Sequence, residues 1–169
     1  THHMENLKKM ERFLKKNGVA FEDITVFNSA YSRYSHSTTK TYPAVESQID
    51  HFFEQLQQNV SEEDLVFVYV TGHGALENEN PNIYLEDGHY YPTDKLAQHI
   101  AKLSNKAKVV LADQCFSGDL PDQLMQSVAD DRAQVIGMAP VAAQTTTSCQ
   151  GFTPYFLDAL EFGYDPNAD

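Results

Sequence analysis

Lys108-Val-Val-Leu-Ala-Asp-Gln-Cys115-Phe-Ser-Gly-Asp119 is the stretch on which the reading of this chain turns. Val109 to Ala112 are apolar, two of them β-branched, and polar residues flank them, the pattern of a strand buried on both faces of a parallel sheet. The run ends on an acid and hands a cysteine to a turn containing Gly118. In open α/β sheets ligands and chemistry collect at the carboxyl ends of strands. Upstream, Leu65-Val-Phe-Val-Tyr-Val70 repeats the pattern and empties into Thr71-Gly-His73-Gly74, where glycines permit a tight turn and close backbone approach. If the two strands are parallel neighbours, His73 and Cys115 project from one rim.

At 169 residues and 41% hydrophobic, the chain is long enough for one buried core and too short for two ordinary domains. Residues 5–169 are expected to form that domain, with Thr1-His2-His3-Met4 set aside as an expression-tag remnant. No apolar run reaches the length of a membrane span and no signal-peptide pattern opens the sequence, so a soluble, cytoplasmic protein is expected. The formal charge of −12 argues against nucleic acid or an anionic membrane as partner, because phosphate would be repelled. It favours a cationic substrate, although the plainer reading is a solvated surface. Two cysteines make no disulfide framework, and no spacing suggests zinc, so no metal site is expected. Cys149 reads as structural.

Leu7, Met10, Phe13 and Leu14 recur at helical spacing over Glu5 to Lys16, with Asn17-Gly18 as a stop. Phe21 to Phe27 alternates as a strand. Residues 28–42 are rich in Ser, Thr and Tyr and read as a surface loop, either mobile or bordering a substrate groove. Pro43 can open a helix whose face is Val45, Ile49, Phe52, Phe53 and Leu56. Beyond Gly74, Ile83-Tyr-Leu85 and Tyr90-Tyr91 form a hairpin around Asp87-Gly88. Thr93 then caps a helix bearing Leu96, Ile100 and Leu103, which returns the chain in a right-handed crossover. Leu120, Leu124 and Val128 space a short helix, Val135 to Ala139 is a further buried strand, and Gly151-Phe-Thr-Pro154 introduces a last helix through Leu157 and Leu160.

A cysteine becomes a useful nucleophile when a base takes its proton or a cation stabilises its thiolate, and histidine suits either role near neutral pH. Acyl transfer also needs donors aimed at the developing oxyanion, for which the amides of Gly74 and Cys115 are candidates. Val68-Tyr-Val-Thr-Gly-His73-Gly74 followed by Val110-Leu-Ala-Asp-Gln-Cys115-Phe-Ser-Gly118 resembles the His-Gly and Asp-x-Cys-x-Ser-Gly blocks of caspase-like cysteine peptidases: caspases, metacaspases and, more distantly, legumains. The first helix, the Gly18-Val-Ala-Phe strand entry and Gly151-Phe-Thr-Pro154 also have counterparts in that fold. The resemblance implies a caspase-like three-layer α/β/α sandwich with a mainly parallel central sheet. It further implies a His73–Cys115 dyad, an oxyanion hole from the Gly74 and Cys115 amides, a thioester acyl-enzyme, and no cofactor for the chemistry.

By the period-two rule Asp113 points to the same side as Cys115 and lines the pocket for the residue before the scissile bond. A carboxylate there selects Arg or Lys by charge and hydrogen bonding. Metacaspases carry an Asp at the matching position, so the resemblance implies a peptide or protein substrate with a basic residue there. Legumain-like enzymes share the acid yet prefer Asn, caspases cut after Asp, and an Asp113 that only caps the turn is the plainer reading. An inactive caspase-like regulatory or scaffolding module is the alternative outside catalysis. Gln144 opens a segment that in relatives walls another substrate pocket. Arg132 is the single basic residue of the connection after Ser117 and hence the candidate self-cleavage point, although an uncut chain is expected. Asp119, Asp122, Asp130 and Asp131 read as a solvated acidic face, with the calcium activation of some metacaspase-like enzymes as the alternative; they lack EF-hand spacing. In this fold a strand normally precedes the first helix, so that strand is expected to be missing here.

Overall fold

The computed structural model describes residues 2–29, 40–85, 87–128, 133–142, 145–146 and 152–162. Arg132, Gln144, Asp130, Asp131 and Cys149 fall outside these. Along the chain run α1 (His2–Lys16), a 3₁₀ turn (Phe21–Asp23), β1 (Thr25–Asn28), β2 (Lys40–Pro43), α2 (Glu46–Asn59) and β3 (Leu65–Thr71). There follow β4 (Gly74–Glu77), β5 (Asn80–Tyr84), β6 (Tyr90–Pro92), α3 (Thr93–Ala101), β7 (Ala107–Asp113), α4 (Asp119–Ser127), β8 (Gln134–Met138) and α5 (Phe152–Phe162).

The central sheet is parallel, in the order β3-β7-β8. Side chains alternate across it as a period of two demands. Val66, Val68, Val70, Val110 and Ala112 meet α2, α3 and α4 through Ile49, Phe53, Leu96, Ile100, Leu120 and Leu124. Phe67, Tyr69 and Leu111 turn the other way, onto Met10 and Phe13 of α1 and Leu157 of α5. Helices therefore cover both faces of a mainly parallel sheet. A second ladder pairs β1 with β2 in parallel, and α1 lies over it too, with Leu7 and Met4 against Ile24 and Val26. Among the described residues β1 and β3 are not paired with each other.

Several boundaries differ from the sequence reading. The loop expected over residues 28–42 ends in a strand, since Lys40–Pro43 pairs with Thr25–Asn28. Four residues of mixed polarity carry no legible alternation, and the pairing itself supplies the structure. Pro43 closes that strand, where its missing N–H is tolerated, and α2 starts at Glu46. Phe21–Asp23 is a 3₁₀ turn ahead of a shorter strand. β8, expected to be a buried strand, is paired among the described residues with β7 alone and leaves Ile136 55% exposed. The hairpin β5–β6 forms as expected, with Ile83 opposite Tyr91. It gains a third strand, β4, through a two-residue turn in which Asn78 and Glu79 take φ of +50° and +67°, the left-handed pair that a tight hairpin requires. α1 begins at His2, so its first turn contains His2, His3 and Met4, which the sequence suggests are a tag remnant.

Candidate active site

β3 and β7 pair from Leu65↔Ala107 to Thr71↔Asp113. His73 and Cys115 each stand two residues beyond that last pair, at the same end of adjacent strands. The two turns touch through their backbones: a Cβ built on Gly74 would lie 2.0 Å from the Cys115 carbonyl oxygen, so only glycine fits there. His73 is exposed and Cys115 is partly buried, so both border solvent.

The hairpin ladder sets the direction of the Gly74 amide. Tyr84 N–H donates to the His73 carbonyl at 2.9 Å, which makes 73 and 84 the hydrogen-bonded pair of the antiparallel ladder. Gly74, opposite Ile83, then belongs to the non-hydrogen-bonded pair, and its N–H is directed away from β5. On the other side of the site Phe116, directly after the cysteine, takes φ +62°, a left-handed conformation that costs a non-glycine residue about 1–2 kcal/mol. Its N–H donates to the Thr145 carbonyl at 2.8 Å, tying the loop after β8 to the cysteine turn. Gln144, beside that anchor in sequence, lies outside the described residues.

Asp113 is only 7% exposed and faces the α1/α5 layer. Asn6 of α1 donates to its Oδ2 at 3.4 Å, and the Thr153 hydroxyl of α5 donates to the same oxygen. Tyr69 in turn is bonded to Thr153 at 2.6 Å, and burial pushes its phenol up to about 12. Strand β7 ends at Asp113, so the alternation that was to carry its direction on to Cys115 stops at the residue where it was first applied. Of the acidic cluster, Asp119 accepts from Thr93 and joins the starts of α3 and α4. Among the described residues no group of three or more His, Cys, Asp or Glu is arranged to hold a metal.

The first turn of α1 reaches the site as well. His3 Nδ1 and Thr71 Oγ1 are hydrogen-bonded at 3.1 Å, and the His3 and His73 rings meet edge to face with centroids 5.0 Å apart. Burial lowers the His3 pKa, the His73 imidazole lowers it further, and Asp113 works in the opposite direction. The sequence reading missed His3, Asn6, Tyr69, Thr71 and Thr153. One signal was available for Asn6: it sits on the apolar stripe that continues through Met10 and Phe13.

The family model for the caspase domain matches residues 3–153. The chain belongs to the caspase-domain family. No curated protein matches it. A caspase domain is a cysteine peptidase fold whose substrates are proteins or peptides, and the parallel sheet with helices on both faces agrees with that assignment. No described helix of this caspase domain is long and apolar enough to cross a membrane.

Proposed function

We propose that this caspase domain is a cysteine endopeptidase that cuts after Arg or Lys, with Cys115 as nucleophile and His73 as acid/base. The observation carrying this reading is the parallel β3/β7 register, which sets both residues two positions past one pair of strand ends. Cys115 Sγ, as thiolate, attacks the peptide carbonyl carbon and a C–S bond forms. The amides of Gly74 and Cys115 are the donors to the oxyanion. As the C–N bond breaks, His73 gives a proton to the leaving amine, and water then hydrolyses the thioester to return acid and thiol.

The basic preference rests on Asp113. Asn6 and Thr153 both donate to Oδ2, and among the described residues no side chain donates to Oδ1. A buried carboxylate whose one oxygen is held by two donors is suited to take a guanidinium or ammonium group through the other.

Fluorogenic peptides differing only in the residue before the reporter test this reading, with and without calcium and beside Cys115→Ala. Turnover after Arg or Lys that Cys115→Ala abolishes is the expected result. Cleavage only after Asn or Asp overturns the role of Asp113. No turnover under either condition overturns the peptidase and favours a regulatory module.

A further inference from the structure

We infer that His3 is a positioning residue for His73, holding the imidazole by edge-to-face packing; this rests on the dyad reading above. His73 needs such a hold. It is exposed and lies between Gly72 and Gly74, and a Cβ built on Gly72 would meet nothing within 4 Å. Glycines on both sides leave the local backbone with the widest conformational choice of any residue. The backbone bond from Tyr84 N–H to its carbonyl fixes the position of His73 but not its ring.

His3 supplies what that bond does not. Its own placement is determined twice, by the helix whose first turn it occupies and by the hydrogen bond at 3.1 Å to Thr71, the last residue of β3 and two before His73. Three residues further along α1, Asn6 reaches Asp113 from the same helix. One turn of helix thus spans the ends of both strands. The edge-to-face contact at 5.0 Å and 78° is an arrangement that aromatic rings prefer. Burial and the neighbouring His73 both disfavour a charge on His3, with His2 adding to this and Asp113 opposing it, so the neutral ring is the favoured form.

The test compares His3→Ala, His3→Gln and His3→Phe on the preferred peptide. Removing the ring is expected to lower kcat about tenfold in the Ala and Gln variants while KM stays within about twofold, since binding is untouched and only the attack geometry loosens. Phe restores a ring without a titrating nitrogen and is expected to recover most of the lost kcat, which a general loss of folding would not allow. Unchanged kcat in His3→Ala overturns the proposal, as does an equal loss in all three variants. A readout free of turnover separates this from failure of the dyad reading. A nuclear Overhauser cross-peak between the His3 and His73 ring protons is expected in the unaltered protein, and its absence overturns the contact whether or not the protein cleaves peptides.

Discussion

The two faces of the central sheet are made by the same strands yet differ in kind. The even-numbered residues of β3 and β7, from Val66 to Val70 and from Val110 to Ala112, meet α2, α3 and α4 in an apolar layer. The odd-numbered ones begin in the same way at Phe67 and Leu111 and then turn polar toward the carboxyl ends, through Tyr69, Thr71 and Asp113. Each polar group there is met from the covering helices: Thr71 by His3, Asp113 by Asn6 and Thr153. One face supplies the burial that holds the sheet, and the other spends part of its burial on a site. Burying polar groups is tolerable only when they are hydrogen-bonded, which explains why α1 and α5 carry Asn6 and Thr153 where packing alone would favour aliphatic side chains.

Substitutions on each face sharpen the contrast. Ile100→Ala, in the fully buried apolar layer, is expected to cost about 2–5 kcal/mol in urea unfolding and to leave peptide preference intact. Gly74→Ala places a methyl group where the Cys115 backbone stands, and backbone cannot rotate away. Its kcat/KM should fall about a hundredfold or more through misplacement of the reacting groups. Thr153→Val leaves Asp113 with one donor fewer and is expected to cost about 1–3 kcal/mol of stability, with a larger fractional loss on Arg peptides than Ile100→Ala causes. Equal effects on preference from Thr153→Val and Ile100→Ala would erase the distinction between the faces.

A weaker test lies on the outer side of the apolar layer. Asp50 of α2 accepts from Tyr91 at 2.8 Å and pairs with Lys95 and His99 of α3. Burial raises its pKa, but the bonds from Lys95 and Tyr91 outweigh this and leave it lowered, so the network favours the carboxylate. A depressed folded-state pKa gives stability that is present above the unfolded value and lost as pH falls through the folded one. Thermal unfolding of the natural protein should therefore lose ground against Asp50→Asn as pH falls below about 4. Smallest of all, Ile136→Thr at an exposed position of β8 should stay within about 0.5 kcal/mol.

Legibility in the sequence followed the same division. β3 and β7 were readable because each is a continuous apolar run that stops at a glycine-bearing turn, and the residues after those runs gave His73 and Cys115 directly. β8 has equally apolar residues, but composition does not distinguish a central strand from an edge strand, so its burial was overestimated. β2 and β4 are too short and mixed to show a period, and they exist through their partners. The composition of the first turn of α1 hides its place in the fold, although Asn6 on the apolar stripe marks where a helix side chain meets a polar group.

By itself the chain's order of residues determined the α/β class, the parallel pair of strands and the histidine and cysteine that follow them, because strand periodicity and turn chemistry are set by near neighbours. Tertiary structure alone decided that the Gly74 backbone abuts that of Cys115, that one oxygen of Asp113 is held by Asn6, and that His3 meets His73. His3 and its partner Thr71 stand 68 residues apart along the chain, Asn6 and Asp113 107, and separations of that size leave no periodic trace. They are chosen by which surfaces remain to be covered once the sheet has formed.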